Sequence, residues 1–238
     1  MKLLKFKHNG KTYSGIHENN TIIANGTEFD PEKITFLPPV NPPKIICIGF
    51  NYKKHNEELK DMATGEPTIT LKAPTSVLGH IGKIILPPES GDVQHESELG
   101  IVIKKSGYRI KNPVEHILGY TIVNDVTARD IERKMVQWSA SKSFPTFCPF
   151  GPFIETEINP GDLEITCKIN GELRQNARTS QMIYSPEECV KFVSKFMELQ
   201  KDDLIATGTP PGVGKLEEGD EIEIKIPGIG TLKNFAGK

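Results

Sequence analysis

The sequence predicts an α+β fold, on three observations. Short apolar runs rich in Ile, Val, Leu and Phe recur along the 238 residues. Asn-Gly or Asn-Asn pairs punctuate them at 9–10, 19–20, 25–26 and 170–171, the residue types that a two-residue hairpin turn selects. Helical segments are few and irregularly placed, without the βαβ rhythm of a doubly wound parallel sheet.

Residues 1–36 read as a small β unit of short runs and tight turns. "LPPVNPPK" at 37–44 follows, four prolines in eight residues, and reads as a stiff extended connector. The boundary is therefore set at 43, with a main domain over 44–238. That domain opens with "KIICIGFNY", a buried strand, and "KKHNEELKDM", of helical composition. "TITLKAP" and "KIILPP" are short strands, and "ELGIVIKK" and "GYTIVND" longer ones. "TARDIERKMVQWSASK" is expected as one helix, with Thr127 as N-cap and Asp130 three residues on. "DLEITCKINGELRQNA" is a hairpin turning at Asn170-Gly171. "SPEECVKFVSKFMEL" is the clearest helix. Ser185 caps it, Pro186 takes its first position, Glu188 completes the capping box, and Cys189, Phe192, Val193, Phe196 and Met197 form its apolar stripe. A strand, a glycine-rich loop and an alternating strand close the chain.

Composition excludes several classes. Net charge is −2 with 25% charged residues, so there is no basic footprint for nucleic acid. No run approaches the roughly 18 apolar residues of a membrane span. "MKLLKFKHNGK" lacks the apolar core and cleavage site of a signal peptide, which makes a cytoplasmic protein the expectation. The four cysteines, Cys47, Cys148, Cys167 and Cys189, are widely spaced. They read as buried free thiols rather than a zinc or redox pair.

Several groupings carry potential chemistry. In "DVQHESELG", Glu96 and Glu98 share one face of a strand, about 6.6 Å apart at the backbone, while His95, Ser97 and Leu99 take the other. Two buried like charges are costly without a counter-charge, which a divalent cation supplies. Taken alone, solvated acids on an edge strand explain the pair better. Asp125 lies where a strand gives way to a helix, and three such acids suit Mg²⁺, Mn²⁺ or Ca²⁺. In "NYKKHNEEL", His55 and Glu58 are i, i+3 on a helix. A carboxylate that orients one ring nitrogen leaves the other free to take a proton from water.

Two further matches fail. Ser139 and Lys142 spell S-x-x-K, but the companion S-D-N and K-T-G of penicillin-binding hydrolases are absent. Lys142 is left as an electrostatic or Schiff-base candidate. "TGTPPGVGK" lacks both the glycine spacing and the final hydroxyl of a phosphate loop.

"GFNYKKHNEE", "HESELGIVI", "GYTIVNDVTARD", "KSFPTFCPFGP", "NGELRQ" and "IATGTPPGVG" occur in the order and rough spacing of the fumarylacetoacetate hydrolase family. The resemblance runs from about residue 44 to the end. It is closest to short prokaryotic-type members: acylpyruvases, oxaloacetate decarboxylases and 2-hydroxyhepta-2,4-diene-1,7-dioate isomerases. It implies a mixed β-roll with peripheral helices, usually as a homodimer. It assigns Mg²⁺ or Mn²⁺ to Glu96, Glu98 and Asp125, with Ca²⁺ a further occupant in vitro. It makes His55 and Glu58 a catalytic dyad on a lid helix. Lys142 and Thr209 are implied to face the substrate, and Arg129 to pair with a substrate carboxylate. Pro145 and Glu132 depart from the family pattern, where aspartate and glutamine are common. An acid at 132 is expected to repel an anionic substrate tail.

The implied substrate is a small 2-oxo or 2,4-dioxo acid. Its carboxylate and 2-oxo oxygens chelate the cation, which acts as a Lewis acid as charge develops. With a 2,4-dioxo acid, His55 activates water against the distal carbonyl and a C–C bond breaks. Decarboxylation of oxaloacetate and tautomerisation use the same parts. A non-catalytic small-acid-binding protein is the remaining alternative.

Overall fold

The computed structural model describes residues 1–58 and 67–238, and of Glu58 the backbone alone. The expected α+β class is what the chain adopts: many strands in mixed sheets, with short helices at the periphery.

The hairpin signals fold as their turn chemistry requires. Strands Lys2–His8, Lys11–Glu18, Thr21–Ala24 and Thr27–Phe29 form an antiparallel meander. At each of its three turns both central residues have positive φ, from +47° at Asn9 to +78° at Gly10. That is the primed turn whose twist matches the flanking strands. Thr35–Leu37 returns beside the first strand, and Phe6, Ile22, Ala24, Leu4 and Phe153 form a small apolar cluster. The meander also continues the principal sheet, because Lys2 and Leu3 pair with Glu155 and Ile154.

The middle of that sheet positions the cavity. It runs Cys148–Glu155, Ile117–Asn124, Ser97–Ile103, Leu204–Ala206, Ile45–Gly49 and Thr68–Lys72. Only Leu204–Ala206 beside Ile45–Gly49 is parallel along this path. Every residue of Ser97–Ile103 is buried, so the strand is covered on both faces. One face packs against a second sheet, Glu172–Arg178, Glu164–Ile169, Glu221–Ile226, Gly230–Gly237 and Lys83–Ile85, through Leu99, Ile101, Ile103, Ile165, Cys167, Ile222 and Ile224. Burial of such aliphatic side chains contributes about 1.5–3 kcal/mol each. A three-stranded sheet of Thr127–Ala128, Val93–His95 and Gly214–Lys215 closes one end. The four cysteines are buried and free.

Two helical expectations need correction. Residues 127–142 do not form one helix. Thr127–Ala128 is a strand paired to Val93–Gln94, followed by two four-residue helices, Arg129–Glu132 and Ser139–Lys142. Positions 129 and 142 on a straight helix would lie about 140° apart around the axis, whereas both side chains line one cavity. Thr127 is not the cap: its hydroxyl donates to the Asp125 carbonyl at 2.9 Å and accepts from Lys142. The helix Pro186–Val193 has the expected Ser185–Glu188 capping box. It stops at Val193, which throws Phe196 off the apolar stripe into solvent, 65% exposed. The expected helix after Tyr52 is described over Lys53–Glu58, and residues 59–62 of that expectation lie outside the described residues. Among the described residues no helix is long and apolar enough to cross a membrane.

Candidate active site

Four segments converge on one cavity. Glu96 sits at the break between Val93–His95 and Ser97–Ile103, and Glu98 is one residue into the second strand. Asp125 follows the adjacent strand directly, and its N–H donates to the Glu96 carbonyl at 2.8 Å. This bond draws the three acids together: one carboxylate oxygen from each of Glu96, Glu98 and Asp125 lies within 4.8 Å of the others. All three are buried. The alternation expected of the strand holds, since His95 and Ser97 point away and both bind Gln175.

Cationic side chains frame the cluster. Lys142, on the last turn of Ser139–Lys142, reaches Asp125 Oδ2 at 2.8 Å, Glu96 Oε2 at 3.0 Å and Thr127 Oγ1 at 2.8 Å. Lys72 donates to Asp125 Oδ1 and, at 3.0 Å, to the Val126 carbonyl. Arg129 is engaged on three sides: Nη2 with Glu96, Nη1 with Glu132, and Nε with Gln94 Oε1 at 3.0 Å. Glu98 accepts from a backbone partner, the Gly208 N–H at 2.7 Å.

The electrostatics follow from this layout. Burial pushes the Asp125 and Glu96 carboxyls up, but Lys142 with Lys72, and Lys142 with Arg129, outweigh it and hold both below the usual carboxylate range. Burial pushes the Lys142 ammonium down, yet Asp125 and Glu96 hold it well above its ordinary value. Glu98 goes the other way. Burial and the charges of Asp125 and Glu96 drive its carboxyl well up. Among the described residues four carboxylates, Glu132 included, thus meet three lysine and arginine side chains, and the surplus falls on Glu98. An all-oxygen, buried donor set with one carboxyl short of a counter-charge fits a hard divalent cation.

His55 is buried on the helix Lys53–Glu58 and lines the same cavity. The side chain of Glu58 lies outside the described residues. Phe50 and Trp138 form an apolar wall with rings edge to face at 5.3 Å. Thr209 lines the cavity too, but its hydroxyl donates to the Ser97 carbonyl at 3.1 Å and accepts from Gln175 at 2.8 Å. Glu132 lines the cavity with its carboxylate paired to Arg129. Pro145 lies in an exposed turn closed by Phe147 N–H on the Phe144 carbonyl, with Thr146 at φ +71°.

The sequence reading missed Lys72, Trp138 and Gln175. In Thr68–Lys72 the apolar Leu71 is 42% exposed while Lys72 is 2% exposed. Strand alternation carried the signal for Lys72, because it shares a face with Thr70, which lines the cavity. On the continuous helix expected over 127–142, Trp138 has no distinct place, whereas the break puts it on the cavity wall.

Residues 44–235 match the family model described as "Fumarylacetoacetate (FAA) hydrolase C-terminal". A bovine protein named oxaloacetate tautomerase FAHD2B, mitochondrial, is 42% identical over 217 residues, 85% of this chain and 69% of that one. The crystal structure of 5-carboxymethyl-2-hydroxymuconate delta-isomerase from Mycobacterium smegmatis superposes with a TM-score of 0.92 at 37% identity, covering 100% of this chain and 98% of that one. The structure of fumarylpyruvate hydrolase from Pseudomonas aeruginosa, in complex with Mn²⁺ and pyruvate, gives a TM-score of 0.76 at 30% identity, covering 82% and 90%.

Proposed function

Because this chain belongs to the fumarylacetoacetate hydrolase family, we propose that it is a divalent-metal-dependent enzyme that cleaves a C–C bond in a small 2,4-dioxo acid of the acylpyruvate type. The observation that carries this reading is the meeting of Glu96, Glu98 and Asp125 with His55 and Lys142 in one buried cavity. Mg²⁺ or Mn²⁺ on the three carboxylates would supply Lewis-acid polarisation of the substrate's 2-oxo acid end.

The chain's own residues do the remainder. The Phe50–Trp138 wall keeps bulk water from the distal end of the substrate, which strengthens every charge interaction inside. The His55 imidazole takes a proton from one water, whose oxygen adds to the C4 carbonyl. The C3–C4 bond breaks, its electron pair is taken up by the 2-oxo acid fragment, and a proton returns to C3. The products are a carboxylic acid and pyruvate. Lys142 Nζ, already aimed at the carboxylate cluster, stands where negative charge grows on the 2-oxo oxygen. One such preorganised donor is worth about 10²–10³ in kcat.

A second reading, keto–enol interconversion of oxaloacetate, is favoured by the name of the bovine relative. It needs proton transfers alone and no water attack. Product identification separates the two: purified protein with Mg²⁺ or Mn²⁺ is followed by NMR on acetylpyruvate and on oxaloacetate. Acetate plus pyruvate from the first substrate supports the hydrolase. Accelerated enol–keto exchange of the second, without cleavage of the first, transfers the assignment to the tautomerase. Neither reaction, from folded and metal-loaded protein, sinks both.

A further inference from the structure

We propose that Gln175 is a positioning residue that sets the spacing of Glu96 and Glu98, and so the affinity of the cluster for its cation. The inference rests on the metal-centre reading above, and goes beyond it by assigning a residue outside the cavity.

Gln175 is wholly buried, and both ends of its amide are fully used. Its Oε1 accepts from Ser97 N–H at 3.0 Å, Ser97 Oγ at 2.8 Å and His95 Nδ1 at 3.2 Å. Its Nε2 donates to Thr209 Oγ1 at 2.8 Å and to the Pro210 carbonyl at 2.8 Å. His95 and Ser97 are the residues on either side of Glu96, and Ser97 also precedes Glu98. Thr209 follows Gly208, whose N–H holds Glu98. One side chain therefore grips the backbone at Glu96 and the loop that binds Glu98.

Local structure explains why a glutamine is available there. The strand pairing skips between Cys167↔Gln175 and Lys168↔Leu173, leaving Arg174 as an extra residue in a β-bulge. The bulge changes the facing of the strand. Leu173 is 53% exposed while Gln175 is 0% exposed, the reverse of what hydropathy alone selects. Gly212, at φ +99°, packs so near that an added Cβ would lie 2.2 Å from the Arg174 carbonyl oxygen, which keeps the bulge and the 208–212 loop together. A buried polar group this fully satisfied specifies geometry, and its removal takes from Ser97 N–H and Oγ, from His95 Nδ1, from Thr209 Oγ1 and from the Pro210 carbonyl the partner that Gln175 supplies. Partners that orient metal ligands typically control about 10–100-fold in affinity.

The test is calorimetric titration of Mn²⁺ alone into the full-length chain, with the EPR signal of the bound ion as a second readout. Wild type is compared with Gln175→Leu, Gln175→Glu and Thr179→Val. Thr179 is a control at the far end of the same hairpin, where its hydroxyl accepts from Leu163 N–H and donates to the Pro160 carbonyl. Gln175→Leu is expected to weaken Mn²⁺ binding at least tenfold and to alter the EPR line shape. Gln175→Glu, which keeps an acceptor for Ser97 and His95, is expected to fall between it and wild type. It also serves as the test if the leucine variant does not fold. Thr179→Val is expected to lower Tm with Mn²⁺ affinity unchanged. Wild-type affinity in Gln175→Leu, or equal losses in Thr179→Val, overturns the inference. If wild type binds Mn²⁺ in neither readout, the metal-centre reading itself fails and takes this inference with it.

Discussion

Lys142 Nζ lies 2.8 Å from Asp125 Oδ2, and the same ammonium also reaches Glu96 Oε2 at 3.0 Å. The two acids come from different strands, so this one lysine ties together the two halves of the carboxylate cluster. Lys142→Met is expected to lower kcat by about 100-fold or more, while Mn²⁺ binding is retained because all three ligands remain. Steady-state kinetics with a parallel metal titration checks both parts. Unchanged kcat would remove Lys142 from the chemistry.

Glu132 ties up one nitrogen of Arg129. Glu132→Gln removes the negative charge that competes with an anionic substrate tail for that nitrogen. The ratio of kcat/KM for a 2-oxo diacid over a 2-oxo monoacid is expected to rise about tenfold, the scale of one added charged hydrogen bond. An unchanged ratio, with both substrates turned over, would show that Arg129 does not meet the tail.

Gly208 is fixed by two constraints. Its φ of +100° suits glycine, and an added Cβ would lie 2.8 Å from Asn51 Cβ and 2.9 Å from the Ile48 carbonyl. Gly208→Ala is expected to destabilise the fold by about 1–3 kcal/mol and to weaken metal binding by displacing the N–H on Glu98. Thermal unfolding with and without Mn²⁺ reads both effects. A wild-type Tm would contradict the packing described.

His80 gives a stability prediction in pH. Burial, with Lys233 nearby, lowers its pKa to about 4, and its Nδ1 accepts from the Lys233 N–H. The folded pKa lies below the unfolded value of about 6.5, so the unfolded chain binds the proton first. This contribution is fully present above pH 6.5 and is lost as pH falls from there towards 4. His80→Gln is expected to flatten the acid side of the Tm–pH profile over that window. Superimposable profiles would rule His80 out.

Legibility in the sequence followed the range of the interaction. The hairpins were readable because turn chemistry is local: Asn9-Gly10, Asn25-Gly26 and Asn170-Gly171 each adopt positive φ at both residues. The shared face of Glu96 and Glu98 was readable because strand alternation is local too. Their meeting with Asp125 was not, since it depends on the pairing of two strands and on one backbone bond between Asp125 and Glu96. Family resemblance supplied it before any spacing could. Lys72 was hidden by an apolar-looking strand whose leucine faces out. Gln175 was hidden by a bulge that breaks strand alternation. The i, i+3 spacing of Arg129 and Glu132 is the same on the expected helix, so their pairing was legible, whereas the reach of the same guanidinium to Glu96 depends on the tertiary fold. The unbroken helix expected over 127–142 failed for a related reason: its residues satisfy helical composition, and only the cavity requires the break.

The central claim is that Glu96, Glu98 and Asp125 hold a divalent cation, and Glu98→Gln tests it most directly. Among the described residues Glu98 is the acid without a lysine or arginine hydrogen-bond partner, so the near-isosteric change removes a ligand charge while leaving the described ion-pair network intact. Calorimetric titration with Mn²⁺ is expected to give one bound equivalent for wild type and at least a tenfold weaker site in the variant. Equal affinity in the two proteins would contradict the assignment.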